Sequence, residues 1–123
     1  MSNYIEDSER IIIVPVSFET GEQTDTFINF SRSVQILACN AYVSKALAGT
    51  NAGTITLKDA SANTISTITI PLSSAINTDV DGAISATYYK TGASLEIISQ
   101  KTTAGGKALL QITYRLISLA GAL

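Results

Sequence analysis

The fold of this chain is decided near its end, where apolar and other residues alternate: Ala108-Leu109-Leu110-Gln111-Ile112-Thr113-Tyr114-Arg115-Leu116. Successive side chains of a β-strand point to opposite faces of a sheet, so this period of two predicts a half-buried strand. The even-numbered residues from Ala108 to Leu116 are expected to face the core. The odd-numbered residues, among them Gln111 and Arg115, are expected to face outward.

Shorter runs of the same kind lie between Arg10 and this strand, and turns rich in Gly, Asn and Asp separate them. We predict strands over these ranges: 10–18, 26–30, 33–46, 54–58, 64–72, 86–90, 94–100 and 107–119. Residues 73–87 lack the period, and we expect one helical turn over 73–77 followed by a loop. Seven to nine short strands predict an all-β fold, an antiparallel β-sandwich of jelly-roll-like type.

Two local features refine this prediction. Pro15 cannot donate a hydrogen bond to a neighbouring strand, so the first strand is expected at a sheet edge or with a bulge. In the hairpin formed by 54–58 and 64–72, Ile65 is out of phase with Ile68 and Ile70. That mismatch predicts a bulge near Ser66 or Thr67.

The length of 123 residues suits one domain with one core. Residues 1–9 are polar and acidic and predict a flexible arm, and residues 10–123 predict a single β-sandwich domain. Six acidic residues and one basic residue lie between Met1 and Asp25, whereas four acidic and seven basic residues lie from Phe30 onward. The charged fraction of 15% is below the usual ~25%, which favours assembly with other proteins.

The residue inventory excludes several kinds of active site. The chain has no histidine, which rules out a Ser-His-Asp triad, a Cys-His pair and a histidine-ligated metal site. Six of the ten acidic residues lie between Met1 and Asp25, so a pair of catalytic carboxylates in a cleft of the domain is not expected. We therefore expect no enzymatic activity and no cofactor.

The partners that the sequence argues against are nucleic acid and membrane. The lysines are dispersed one per segment instead of forming a basic face. No stretch approaches the ~18 apolar residues of a membrane span, and the first residues lack the pattern of an export signal. Cys39 is the only cysteine, so no intrachain disulfide forms, and we expect a buried thiol and folding in a reducing cytoplasm.

One segment partly matches a calcium-binding loop. Asn77, Asp79 and Asp81 alternate ahead of Gly82, but the twelfth position is Tyr88 instead of a bidentate Glu. We interpret the segment as a turn rich in Asn and Asp and predict no metal site. The alternative interpretation is a calcium site that includes Asp79 and Asp81.

The five tyrosines permit a glycan-binding interpretation, because aromatic rings stack on sugar faces. Tyr42 and Tyr114 lie on apolar strand faces and are expected in the core. Tyr88 and Tyr89 are adjacent, so in a strand they point to opposite faces. At most one of those two rings could join a given sugar-binding platform.

The order of features in the body of the chain is a long strand, a hairpin, a turn into a further strand and a closing strand. They are represented by Ala41-Tyr42-Val43-Ser44-Lys45-Ala46, Gly53-Thr54-Ile55-Thr56-Leu57-Lys58-Asp59, Gly92-Ala93-Ser94-Leu95-Glu96-Ile97-Ile98 and Leu110-Gln111-Ile112-Thr113-Tyr114-Arg115. In this order, Val34 to Arg115 resembles small β-sandwich structural proteins of tailed-phage virions. The resemblance implies a capsid decoration, cement or head-fibre protein, a homotrimer that bridges neighbouring major capsid subunits. It also implies a place on the capsid surface of the virion, after synthesis in the host cytoplasm.

The ends of the domain carry more apolar side chains than one sandwich can cover, which predicts burial in a symmetric homo-oligomer. The predicted interface residues are Ile11, Ile13, Ile117 and Leu119. The acidic arm is predicted to contact the capsid through Glu6, Asp7 and Glu9. A second hypothesis is a glycan- or receptor-binding module of a tail fibre or appendage, with contacts from 77–86 and Tyr88 or Tyr89.

Overall fold

The computed structural model describes residues 9–29, 34–59, 63–84, 87–89 and 94–116. The strands in these ranges are β1 (Arg10–Ser17), β2 (Gly21–Asn29), β3 (Val34–Lys45), β4 (Gly53–Asp59), β5 (Thr64–Ile70), β6 (Asp79–Gly82), β7 (Thr87–Tyr89), β8 (Ser94–Lys101) and β9 (Lys107–Leu116). No helix occurs within the described residues. The predicted all-β class is confirmed.

The strands form two antiparallel sheets. The first sheet has the order β1-β9-β3-β6, with β7 also paired to β3, and the second has the order β2-β8-β4-β5. Strands β1 to β4 pair in turn with β9, β8, β6 and β5, as in a long hairpin. Additional pairs between β3 and β9 and between β4 and β8 fold that hairpin over on itself, which is the jelly-roll arrangement.

The core lies between the two sheets and is built from the inward side of each strand. On β9 the buried residues are Ala108, Leu110 and Ile112, with Tyr114 and Leu116 partly buried against them, as the alternation predicted. The first sheet also contributes Val14, Val16, Val34, Ile36, Cys39, Ala41 and Val43, and the second sheet contributes Ile55, Leu57, Ile68, Ile70, Leu95 and Ile97.

Two details predicted from single residues are found. β1 lies at an edge of the first sheet and pairs with β9 without a register shift, as Pro15 indicated. In the hairpin of β4 and β5, Leu57 pairs with Ser66 and Lys58 with Thr64, so Ile65 is the extra residue. The bulge therefore lies one residue before the predicted position.

Two segments differ from the prediction. β2 covers Gly21–Asn29, so it begins five residues before the predicted strand over 26–30. Asp79 and Asp81 lie on β6, with Val80 between them packed against the core, so the expected loop is a short strand. The helical turn over 73–77 does not form, because Ser73 and Asn77 adopt positive φ values of 67° and 72°.

Candidate functional site

The outward side of the first sheet carries exposed apolar side chains on three adjacent strands. Ile11 and Ile13 on β1 are 53% and 58% exposed, Tyr42 on β3 is 39% exposed and Leu109 on β9 is 37% exposed. Pro15 on β1 is also exposed. We call these five residues the outer apolar face.

Strand register makes this face continuous. Leu109 is the partner of Pro15 on β1 and of Tyr42 on β3, so the three side chains form one row across the sheet. Ile13 lies in the next row, opposite Gln111, and Ile11 lies in the row after it. The face therefore extends along β1 and across to β3.

A bulge in β3 puts Tyr42 on this face. The register between β3 and β9 shifts between Ile36 and Ala38, which makes Leu37 an extra residue and reverses the direction of the residues that follow. Cys39 is buried as predicted, and Tyr42 points outward. The prediction that Tyr42 lies in the core was wrong for this reason.

The far side of the outer apolar face is polar. Tyr42 pairs with Asp79 of β6, and Asn40 pairs with Asp81. The Asn40 Nδ2 atom donates a hydrogen bond of 2.9 Å to Asp79 Oδ1. An apolar centre beside a polar rim is the usual arrangement of a protein-binding surface.

A shallow groove of about 270 Å³ lies at the end of the first sheet where β1 and β3 end and β9 begins. Its lining residues are Ser17, Phe18, Glu19, Lys45, Ala104, Gly105, Gly106 and Lys107. Lys107 is the register partner of Lys45 on β3 and of Ser17 on β1. We call this site the lysine groove. Both lysines are exposed, and neither ammonium has an ion-pair partner in the part of the chain that the structure describes.

A buried lysine holds the loops beside this groove. Lys101, at the end of β8, is 1% exposed. Its Nζ donates hydrogen bonds to the carbonyl oxygens of Ala48, Thr50 and Thr103, with N–O distances of 3.0 Å to the last two. These acceptors match the three protons of an ammonium group, so the β3–β4 and β8–β9 loops are tied together.

Backbone hydrogen bonds also join the β1–β2 connection to the β8–β9 loop. Phe18 N donates to Gly106 O, and Gly105 N donates to Phe18 O, both at 3.0 Å. Gly105 and Gly106 have φ values of 150° and 111°, and a Cβ atom on Gly106 would lie 2.9 Å from Leu47 Cα. Glycine is therefore required at Gly106, and the position of Lys107 is fixed by the loop.

Cys39 is a buried thiol on the inward side of β3. Burial raises the pKa of Cys39, the negative charge of Asp81 adds to the increase, and the Ser66 hydroxyl acts in the opposite direction. A thiol in this environment stays protonated near neutral pH and is a poor nucleophile.

The structure brings together only part of the predicted sites. Of the interface residues, Ile11 and Ile13 lie on the outer apolar face, and Ile117 and Leu119 lie outside the described ranges. Of the acidic arm, Glu9 is exposed, and Glu6 and Asp7 lie outside those ranges. Asp79 and Asp81 are both exposed, and no group of three metal-ligating residues is found among the residues described.

The sequence did not predict that Leu109 belongs to an apolar face or that Lys45 and Lys107 line one groove. It also did not predict that Lys101 joins two loops. The alternation on β9 did place Leu109 outside, but only strand order shows that it adjoins Pro15 and Tyr42. Within the described ranges, no helix has the length and apolar composition needed to cross a bilayer.

No family model and no curated protein matches this chain. Solved structures do match its fold. A chain in the acidic stable capsid structure of Helicobacter pylori bacteriophage KHP30 aligns with a TM-score of 0.59 and 12% identity, over 93% of this chain and 92% of that chain. A chain from disulfide-linked pili, the Bacillus endospore appendages, aligns with a TM-score of 0.51 and 13% identity, over 94% of this chain and 93% of that one. At these identities the likeness shows a shared β-sandwich fold.

Proposed function

We propose that this chain is a non-enzymatic structural protein of a phage virion that decorates the capsid exterior and stabilises it as a homo-oligomer, a trimer. Its partners are other copies of itself and the major capsid protein. Its location is the capsid surface, after synthesis in the host cytoplasm. The observation that carries this proposal is the outer apolar face.

The outer apolar face supports an assembly role because exposing apolar surface to water is unfavourable in free energy. Burial of apolar surface contributes ~25 cal/mol per Å², so a few hundred Å² per subunit contributes several kcal/mol before the cost of association. β1 is also an edge strand, and an exposed apolar edge promotes aggregation unless another chain covers it. A specific neighbour would remove both problems.

The two structural neighbours support the same role. One belongs to a phage capsid structure and the other to a pilus, and both match over more than nine-tenths of each chain. Each of these matched chains is therefore part of a larger protein assembly.

The test of the proposal uses undecorated capsids of the phage whose genome encodes this chain. We expect the purified chain to co-sediment with these capsids and to raise their melting temperature. Ile11→Thr/Ile13→Thr should reduce both effects, whereas Ile76→Thr should not, because Ile76 is 59% exposed but lies in the β5–β6 connection. Absence of co-sedimentation and of any change in melting temperature would contradict the proposal.

One observation favours the second candidate, a glycan- or receptor-binding module of a tail fibre or appendage. The exposed Tyr42 ring lies beside Asn40 and Asp79, and an aromatic ring next to hydrogen-bonding groups suits a sugar. Binding on a glycan array that is lost in Tyr42→Ala, together with no affinity for capsids, would favour this candidate over capsid decoration.

A further inference from the structure

Two positive charges lie side by side in the lysine groove. Lys45 and Lys107 are register partners on neighbouring strands, and like charges in that position destabilise a sheet. The carboxylate in the groove, Glu19, accepts a hydrogen bond of 3.3 Å from Ser17 Oγ. One carboxylate against two ammonium groups leaves the groove with a net positive charge, so it can bind a further carboxylate.

The acidic arm of this chain has the complementary charge. Glu6, Asp7 and Glu9 all precede Arg10 in the sequence. Arg10 begins β1 opposite Tyr114, whereas Ser17, at the other end of β1, lies opposite Lys107. The arm therefore leaves the domain at one end of the first sheet, and the lysine groove lies at the opposite end.

The distance along β1 prevents the arm from binding the groove of its own chain. Seven residue steps separate Arg10 from Ser17, which is ~24 Å in a strand. Glu6 is four residues before Arg10, a length that spans at most ~14 Å, and a return toward Ser17 requires a reversal that itself uses about four residues. Glu6 and Asp7 can, however, reach the groove of a copy placed end to end with the first.

We infer that the lysine groove binds the acidic arm of a second copy of this chain, with Glu6 and Asp7 pairing with Lys45 and Lys107. This inference rests on the homo-oligomer in the proposed function. A contact between an arm at one end and a groove at the other is heterologous, and it closes into a ring such as a trimer when the rotation between copies allows. Exposed ion pairs are weak and screened by salt, so this contact adds to burial of the outer apolar face.

Carbodiimide cross-linking of mixed isotopic copies tests the inference directly. The reagent activates a carboxylate, and a lysine amine in contact with it displaces the activating group to form an amide. Unlabelled and ¹⁵N-labelled full-length chains are mixed, cross-linked and digested. We expect mixed-isotope peptides that join residues 1–9 to Lys45 or Lys107. Links only within one copy, links to other lysines or no links would overturn the inference.

Charge variants give a second readout in the oligomer mass measured by analytical ultracentrifugation. Glu6→Gln/Asp7→Gln and Lys45→Gln/Lys107→Gln should each raise the dissociation constant of the oligomer about tenfold, the loss expected for two exposed ion pairs. Thr67→Glu/Thr69→Glu is the control for the lysine variant, because it changes net charge equally on exposed positions of β5. It should leave the dissociation constant unchanged.

A charge swap within one chain completes the design. Lys45→Glu/Lys107→Glu should weaken the oligomer, and adding Glu6→Lys/Asp7→Lys/Glu9→Lys to the same chain should restore it. If the dissociation constant of the oligomer is unchanged in all these variants, the inference is overturned, while capsid binding would still support the proposed function. A chain that stays monomeric but binds capsids would overturn the inference and the homo-oligomer, and would leave capsid binding supported. A chain that neither forms an oligomer nor binds capsids would overturn both the inference and the proposed function.

Discussion

Leu109 of β9 and Tyr42 of β3 are register partners, and both side chains point away from the core. Pro15 lies on the other side of Leu109, so an apolar row crosses three strands of the first sheet. The next residue of β9, Leu110, is 1% exposed. A single step along β9 therefore separates the surface that stabilises the fold from the surface that is available for assembly.

Substitution of neighbouring leucines should separate these two roles. Leu110→Ala should lower the free energy of unfolding by about 2–5 kcal/mol, because it removes buried methyl groups and leaves a cavity. Leu109→Ala should change it by about 0.5 kcal/mol or less, because the side chain is partly exposed. Denaturant unfolding of the monomer measures both, and equal losses would show that the phase of β9 is wrong.

The two isoleucines of β1 should contribute to association more than to folding. Ile11→Thr/Ile13→Thr keeps β-branched residues in the strand, so the unfolding free energy of the monomer should change little. The dissociation constant of the proposed oligomer should rise by at least about tenfold, since each substitution removes apolar area from the proposed interface. Sedimentation equilibrium provides the measurement, with Ile76→Thr as the control. Equal weakening by Ile76→Thr would contradict the assigned position of the interface.

Lys101 should be important for stability in spite of its charge. Lys101→Met keeps most of the side-chain volume but leaves the carbonyl groups of Ala48, Thr50 and Thr103 without their donor. We expect a loss of about 2–3 kcal/mol in the free energy of unfolding. Lys107→Met, at an exposed position, is the control and should cost far less. Equal effects in denaturant unfolding would show that Lys101 does not hold the loops.

The raised pKa of Cys39 predicts a loss of stability in alkaline solution. The thiol ionises in the unfolded chain near its ordinary pKa of 9.0 before it ionises in the folded chain. Its contribution to stability is therefore fully present below that pH and is lost as the pH rises toward the folded-state value. Unfolding free energies measured from pH 7 to pH 10 should fall less steeply in Cys39→Ala than in the unsubstituted chain. The same slope in both proteins would contradict the assignment.

Most of the fold could be predicted from single-strand patterns. The alternation on β9 determined its inward face, and Pro15 indicated an edge strand, because each effect depends on one strand alone. Single-strand patterns failed at Tyr42, which was predicted in the core but is exposed. The bulge at Leu37 reverses the phase of β3, and only pairing with β9, far along the chain, reveals it. Likewise, the short β6 was read as a loop because four residues give too little alternation to identify a strand.

The candidate site was less predictable than the fold. Exposure of Ile11 and Ile13 followed from one strand, but the outer apolar face joins residues from three strands that are distant in sequence. Lys45 and Lys107 are 62 positions apart in the numbering and become neighbours only through strand pairing. Lys101 was counted among dispersed surface charges, because nothing in the sequence shows that three carbonyl groups surround it.

Hydroxyl-radical footprinting of the dissociated monomer, at low concentration, and of the chain on capsids tests most directly whether the outer apolar face is covered by other proteins. Ile11, Ile13, Tyr42 and Leu109 are exposed in the single chain, and so is Ile76. We predict strong protection of the first four side chains on the capsid and unchanged labelling of Ile76. Equal labelling of the outer apolar face in the dissociated monomer and in the capsid-bound chain would contradict the account.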